Sequence, residues 1–436
     1  MKTGQLEIKK IGINGEGIGY IDKKICFVKG ALPNELVEVE VTNQTRNFYN
    51  AKLVKIVERS QDRVASPCHS SKDCQGCSLL HMTPYLQQNY KKEAIRESIR
   101  KYTKYDLSKT VFKDVILPNK AEAYVTSVNY PVVKFKGRVS FGIYQRESKF
   151  LTILTSCYKQ HPTINTVLKE IEEILNQNKV KLYSDKFKTG LRFLKAKYVD
   201  GKVQIVFITG KDKLNQEIID QVSKIKDVKG IFISVNTTKH QEFDEVGYSK
   251  LYGSTRLEYR YNEQNYLVTV KSDLGENNFM TKRKVKEISK LIEGSVHVLS
   301  LNCGVGLVEC SNPQQFTSYD EKSYHIEDAK LNGKYLHKEN AVFKKGDLDE
   351  KIVLEAKKKI HDTFLIQNGR FGLSDVMKES IKLSRVRNVV ITCDSHSTLA
   401  KDLGDLQDMY KLEKIVALDS YIYASYATIL VKLVRK

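Results

Sequence analysis

The chain of 436 residues has no tryptophan and only seven prolines. It has no apolar run of about 18 residues or more, so a membrane-spanning helix is not expected. Its first residues, Met1-Lys2-Thr3-Gly4-Gln5-Leu6-Glu7, lack the apolar stretch of a signal peptide. Acidic charge is in deficit: 52 Asp and Glu face 72 Lys and Arg, a formal charge of +20. Such an excess points to a polyanionic partner, most often nucleic acid, although a lysine-rich proteome gives the same balance. A cytoplasmic location and a monomer are expected. The length suits about two to four domains with cores of their own.

Cysteine is scarce too, eight in all, yet three fall within ten positions, in Pro67-Cys68 and Cys74-Gln75-Gly76-Cys77-Ser78. Thiolates this close usually hold a metal or an iron–sulfur cluster, because the turn brings the sulfurs onto one centre. A disulfide needs an oxidising compartment, and nothing in the sequence suggests one. A four-sulfur site needs a further ligand, and Cys157, in Thr155-Ser156-Cys157-Tyr158, is the best candidate. It would pin two distant segments together. A structural zinc, or unlinked thiols, are the alternatives at this point.

Residues 1–60 read as short strands with glycine turns. Ile25-Cys26-Phe27-Val28 and Ala51-Lys52-Leu53-Val54-Lys55-Ile56-Val57 are strand-like, and Leu36 to Val41 alternates with the period of a half-buried strand. Even spacing suggests a small barrel. Gly15-Glu16-Gly17-Ile18-Gly19, the run Phe27 to Glu35, and the closing Ser60 and Arg63 resemble the TRAM domain, an OB-like RNA-binding barrel. Asn34 stands where that family has glycine, a mild change because Asn tolerates a left-handed turn.

After the cysteines come His81, Tyr85, Gln88, Lys91 and a basic helix through Ile95, Ile99 and Tyr102. Barrel, Cys-x5-Cys-x2-Cys, then Tyr-x-x-Gln together resemble the RNA uridine-C5 methyltransferases. The resemblance implies a four-iron, four-sulfur cluster on Cys68, Cys74, Cys77 and Cys157, which helps grip RNA and takes no part in methyl transfer. Ser140-Phe141-Gly142-Ile143-Tyr144, with Arg146 and Ser148, matches the family's Gly-x-Tyr segment. Tyr124-Val125-Thr126 departs from the family's Tyr-Arg-Asn, removing a basic contact. Downstream, helices over 164–175 and 216–225 alternate with buried strands over 203–208 and 230–235, as in an α/β domain.

The C-terminal half begins with a helix over 285–292. His297-Val298-Leu299-Ser300-Leu301 then runs into the glycine loop Asn302-Cys303-Gly304-Val305-Gly306. Strand, glycine loop and helix let a ligand approach the backbone in doubly wound folds. Asp320, ending the next strand, is placed to bond a ribose, and Asp347 to meet an adenine edge. That order recurs in folds that bind S-adenosylmethionine. Ser300 and Asn302 replace the family's Asp and Tyr, and Pro313 falls where the first helix should run. A proline inside a helix costs about 3 kcal/mol, so that helix is expected to be cut down or missing.

Uracil C5 is a poor nucleophile. A thiolate added at C6 turns the ring into an enolate that can attack a sulfonium methyl, and a base must then strip the C5 proton. Cys393 ends the strand 388–392 and precedes Ser397-Thr398-Leu399-Ala400-Lys401-Asp402-Leu403, where the resemblance places the nucleophile. Its loop, Asp394-Ser395-His396, is one residue longer than the family's and lacks the proline. A buried, inert cysteine is the alternative. Gln367 replaces the acid of the family's Asp-Pro-Pro-Arg-x-Gly-Leu segment, with Arg370, Gly372 and Leu373 kept. Gln can bond a uracil edge but carries no charge. Phe279 stands at the family's glutamine, and Thr428 at its general base.

The expected architecture is therefore multidomain. An OB-like TRAM β-barrel covers 1–60, and a central α/β iron–sulfur RNA-binding domain covers 61–92 and 121–265. A Rossmann-like class I methyltransferase domain covers 93–120 and 266–436. The activity implied is S-adenosylmethionine-dependent uracil-C5 methylation of RNA, with ribosomal RNA favoured over transfer RNA by resemblance. The alternative is a catalytically inactive RNA-binding homologue that keeps the fold and the cluster.

Overall fold

The computed structural model describes residues 3–71, 73–74, 76–144, 151–154, 156–238 and 247–436. Arg146, Ser148 and Thr155, named above, lie outside the described residues. Among the described residues there are four sheets, three large ones and the two-stranded pair Arg256–Tyr261 and Gln264–Thr269. The first has six strands in the order Thr3–Glu7, Leu36–Gln44, Phe48–Glu58, Lys24–Lys29, Gly17–Ile21 and Lys10–Ile11. Val37 and Val39 face its core beside Leu6, Ile8 and Val28.

The loop between residues 30 and 35 shows why the barrel's signature residues occur together. Glu35 is fully buried, and its carboxylate accepts from the Leu32 N–H at 2.8 Å and from Arg63 at 2.5 and 2.8 Å. Arg63 also donates to the Gly30 carbonyl at 2.6 Å. Burial pushes the Glu35 carboxyl up, but these donors outweigh it and hold the group below its usual range. Asn34 takes φ +62°, the left-handed turn expected of it. A side chain at Gly15 would meet Leu79 at 2.6 Å, so the glycine lets the barrel seat on the cysteine segment.

The middle sheet has seven strands, ordered Leu151–Ile153, Arg138–Tyr144, Ser127–Phe135, Leu191–Val199, Lys202–Thr209, Val228–Val235 and Ser249–Gly253. The helices Pro162–Gln177 and Gln216–Ser223 cover it through Ile164, Ile171, Ile218 and Val222.

The third sheet has eight strands, ordered Ala341–Lys345, Gln315–Asp320, His297–Leu301, Thr363–Gln367, Asn388–Cys393, Thr428–Arg435, Tyr410–Leu418 and Val111–Phe112. Its first five strands are parallel, and Thr428–Arg435 runs antiparallel to both neighbours. The order reverses between His297–Leu301 and Thr363–Gln367. The carboxyl ends of strands at such a reversal leave a crevice where ligands bind. The helix Pro84–Tyr102 lies far upstream in sequence yet packs here, Ile95 and Ile99 entering this sheet's core. Its Lys91 is buried and pairs with Asp419 behind the crevice. The first helix after the glycine loop has five residues, Leu307–Ser311, and stops short of Pro313. The expected truncation is what the structure shows. Among the described residues no helix is long and apolar enough to cross a membrane.

Candidate active site and cysteine cavity

A cavity of about 440 Å³ opens at the strand-order reversal. The glycine loop forms one wall. Gly304 has φ +56° and Gly306 φ +78°, and a side chain on Gly306 would meet the Phe343 ring at 2.9 Å. Gly304 lines the cavity with Asp320, Lys322 and His325. Asp320 is buried and its oxygens are already engaged. They accept from the Gly304 N–H at 3.0 Å and the Lys322 N–H at 2.9 Å, and both lie 3.2 Å from His325 Nδ1. Despite burial, these donors keep its carboxyl below the usual range. His325 Nε2 is buried without a partner. An orphaned ring nitrogen beside a glycine loop is a place for a polar ligand, and the cavity in this respect fits a nucleoside cofactor. Asp347 is elsewhere: it is exposed, caps the helix Leu348–Lys358 by accepting from the Glu350 N–H at 2.9 Å, and does not line the cavity.

Ser300, where the family has an acid, donates to Glu309 Oε1 at 2.6 Å. Glu309 is fully buried behind the loop, and burial pushes its carboxyl up to about 7. An acid thus returns to this spot from the shortened helix.

The opposite wall carries Gln367, Asn368, Thr392, Asp394, Tyr421 and Thr428. Gln367 ends its strand and faces the cavity, as a uracil contact would. Cys393 does not. The strand pleat turns it into the core with Ile391 and Leu399, 1% exposed, while Thr392 and Asp394 on either side line the cavity. Its Sγ lies 3.4 Å from the Ser395 carbonyl, and burial pushes the thiol up to about 11. Thr428 donates to Asp394 Oδ1 at 2.7 Å, and the Tyr421 hydroxyl donates to Asp394 Oδ2 at 3.0 Å. Phe279 is exposed and outside the cavity, whereas Asn277, Met280 and Thr281 line it. At the rim Phe371 is 97% exposed, and the Arg370 guanidinium lies 3.9 Å from the Tyr426 ring centre. Sequence reasoning did not single out Asp394, His325 or Glu309.

Cys68, Cys74, Cys77 and Cys157 line a second cavity, of about 220 Å³, walled by Leu80, Val125, Val128 and Leu154. The remote cysteine therefore reaches the other three. Burial, with Cys157, Cys74 and Cys68 adding to it against Lys159, pushes the Cys77 thiol up to about 11. Among the described residues no three His, Cys, Asp or Glu side chains are gathered as a site for a metal ion. Thiolates are the donors that an iron–sulfur cluster or a structural zinc takes. Glu276 lines both cavities.

Residues 2–54 match the TRAM domain. An uncharacterized RNA methyltransferase of Streptococcus pneumoniae is 25% identical over 440 residues, covering 99% of this chain and 98% of the relative. Another from Enterococcus faecalis is 27% identical over 467 residues, covering 100% and 99%. The structure of Pyrococcus abyssi tRNA (uracil-54, C5)-methyltransferase, in complex with S-adenosyl-L-homocysteine, superposes with a TM-score of 0.79 at 20% identity. It covers 99% of this chain and 100% of its own. The resemblance to the RNA uridine-C5 methyltransferase family is therefore borne out, by a TRAM domain at the N-terminus, by end-to-end kinship with RNA methyltransferases and by the fold of a uracil-C5 enzyme.

Proposed function

We propose that the protein is an S-adenosylmethionine-dependent RNA methyltransferase that acts on uracil C5. The observation that carries this reading is the cavity at the strand-order reversal, with a glycine loop, Asp320 and His325 on one wall and Gln367, Asn368 and Asp394 on the other. When bound, S-adenosylmethionine supplies the methyl group. Gly304 would give it close backbone approach, and the Asp320–His325 pair lines the wall beside its sugar. Asp347 is left out of the cofactor contacts and keeps its capping role. Gln367 orients the uracil edge. Cys393 Sγ adds to C6 after leaving the Ser395 carbonyl and turning into the cavity, since the thiol in its core position can neither ionise readily nor reach a base. Phe371 at the rim offers a face on which an RNA base can stack.

Cys68, Cys74, Cys77 and Cys157 are proposed to hold a four-iron, four-sulfur cluster that fixes the central domain and has no part in methyl transfer. The TRAM barrel favours ribosomal RNA as substrate, while the solved neighbour acts on transfer RNA. The test therefore carries both. Purified protein and Cys393→Ala are incubated with labelled S-adenosylmethionine and unmodified rRNA or tRNA transcripts. Methyl transfer that disappears in the variant is expected. No transfer from the native chain, with RNA affinity intact, would leave an RNA-binding scaffold instead.

A further inference from the structure

A base is needed once uracil C5 carries its methyl group, because the original C5 proton has then to leave. Four carboxylates line the cavity: Asp273, Glu276, Asp320 and Asp394. Asp320 is occupied by its own loop and His325. Asp273 accepts from the Gly275 N–H at 2.7 Å. Glu276 sits on the wall shared with the cysteine cavity. Asp394 differs from all three. It follows Cys393 directly, and the pleat that turns the thiol away turns this carboxylate inward. The strands Asn388–Cys393 and Thr428–Arg435 pair antiparallel with Cys393 opposite Ile429, so Asp394 falls opposite Thr428. Thr428 and Tyr421 each donate to a different oxygen of Asp394, leaving each oxygen a further lone pair. The Asp394 N–H donates to the Gly369 carbonyl at 3.0 Å, which fixes the backbone beneath it.

We infer that Asp394 is the base that removes the C5 proton, with Thr428 and Tyr421 as positioning residues; this rests on the uracil-C5 reading. With Cys393 Sγ bonded to C6 and the methyl group on C5, an Asp394 oxygen takes the C5 proton. The electron pair of the C5–H bond forms the C5=C6 double bond. The C6–S bond breaks, its pair returns to Cys393 as thiolate, and the proton passes from Asp394 to solvent. The hydroxyl at 428 is then a support for a base that the neighbouring strand supplies.

The decisive variant is Asp394→Asn. Elimination should stall after methylation, so a covalent protein–RNA adduct carrying one methyl group accumulates on denaturing gels. Turnover should fall by about 100-fold or more. The adduct should require S-adenosylmethionine and vanish in Asp394→Asn combined with Cys393→Ser. RNA containing 5-fluorouridine gives a folding control. Fluorine cannot leave C5 as a proton does, so native chain and Asp394→Asn should be trapped alike. Turnover of Asp394→Asn at the native rate without adduct overturns the assignment and leaves uracil-C5 methylation standing. If the native chain neither methylates RNA nor is trapped by 5-fluorouridine, the uracil-C5 reading fails and Asp394 loses its role with it. Where Asp394→Asn fails the trapping control, Thr428→Val decides. A lower kcat at unchanged KM with a shifted pH profile supports positioning of a base, and a raised KM alone overturns it.

Discussion

The cysteine cavity and the transferase cavity share Glu276 as a common wall, yet they meet the family resemblance in opposite ways. In the first, every ligand that the resemblance calls for is present and faces one space. In the second, an acid, a glutamine and a base are replaced by Gln367, Phe279 and Thr428. On the function proposed above, the difference follows from what each cavity would hold. Four sulfurs around an inorganic centre are bonded to it individually, and no neighbour can stand in for a missing thiolate. A polar cavity acts through charge and hydrogen bonds, which an adjacent strand or helix can deliver from another backbone position. Asp394 lines the cavity beside Thr428, whereas Glu309 lies fully buried behind Ser300.

The contrast is broken most severely at a thiol. Cys157→Ser should abolish the broad visible absorption expected of the anaerobic protein, and Cys310→Ser should leave it untouched. Cys310 is buried in the core behind the glycine loop, away from the quartet. Iron analysis and the visible spectrum of both variants check this. A native chain that carries zinc, or no metal at all, would remove the distinction between the two cavities.

A smaller effect sharpens the other half of the comparison. Glu309 is buried with one oxygen unpartnered, and its carboxyl is pushed from the ordinary 4.5 up to about 7. Below pH 4.5 both folded and unfolded chains hold the proton, and the group costs nothing. Between 4.5 and 7 the unfolded chain ionises first, so stability falls as pH rises, and above 7 the loss is constant. Glu309→Gln should therefore leave stability at acid pH nearly unchanged and raise it at alkaline pH by about 3 kcal/mol. Denaturant midpoints measured across pH are the check.

These two cavities also mark how far the sequence could be read. The barrel was legible because its signals are local: Gly15, the turn at Asn34 and the Glu35–Arg63 pair all serve one loop. Three clustered thiols and one remote candidate marked out the four cysteines that line one cavity. Asp347 carried a signal that pointed elsewhere. An acid followed three positions later by Glu350 opens a helix, and that is the role it plays. The Asp394–Thr428 contact gave no comparable signal. It spans 34 positions and exists only because two antiparallel strands align in one register. The turn of Asp394 toward the cavity and of Cys393 into the core depends on strand phase at a loop lengthened by one residue, and pattern alone does not settle that phase.

The smallest expected effect concerns the cofactor wall. Asp320 gives its oxygens to the Gly304 and Lys322 N–H groups and to His325, and both residues line the cavity. His325→Ala should weaken S-adenosyl-L-homocysteine binding by about tenfold, the scale of one buried hydrogen bond. His325→Gln, which can still donate or accept, should recover part of it. Calorimetry on the RNA-free chain reads this without any turnover. The alanine variant also frees an Asp320 oxygen, which could then reach the ligand itself. If the alanine variant binds as tightly as the native chain, the carboxylate is the true sugar contact and His325 only shields it. The cofactor wall would then follow the family's pattern more closely than the uracil wall does.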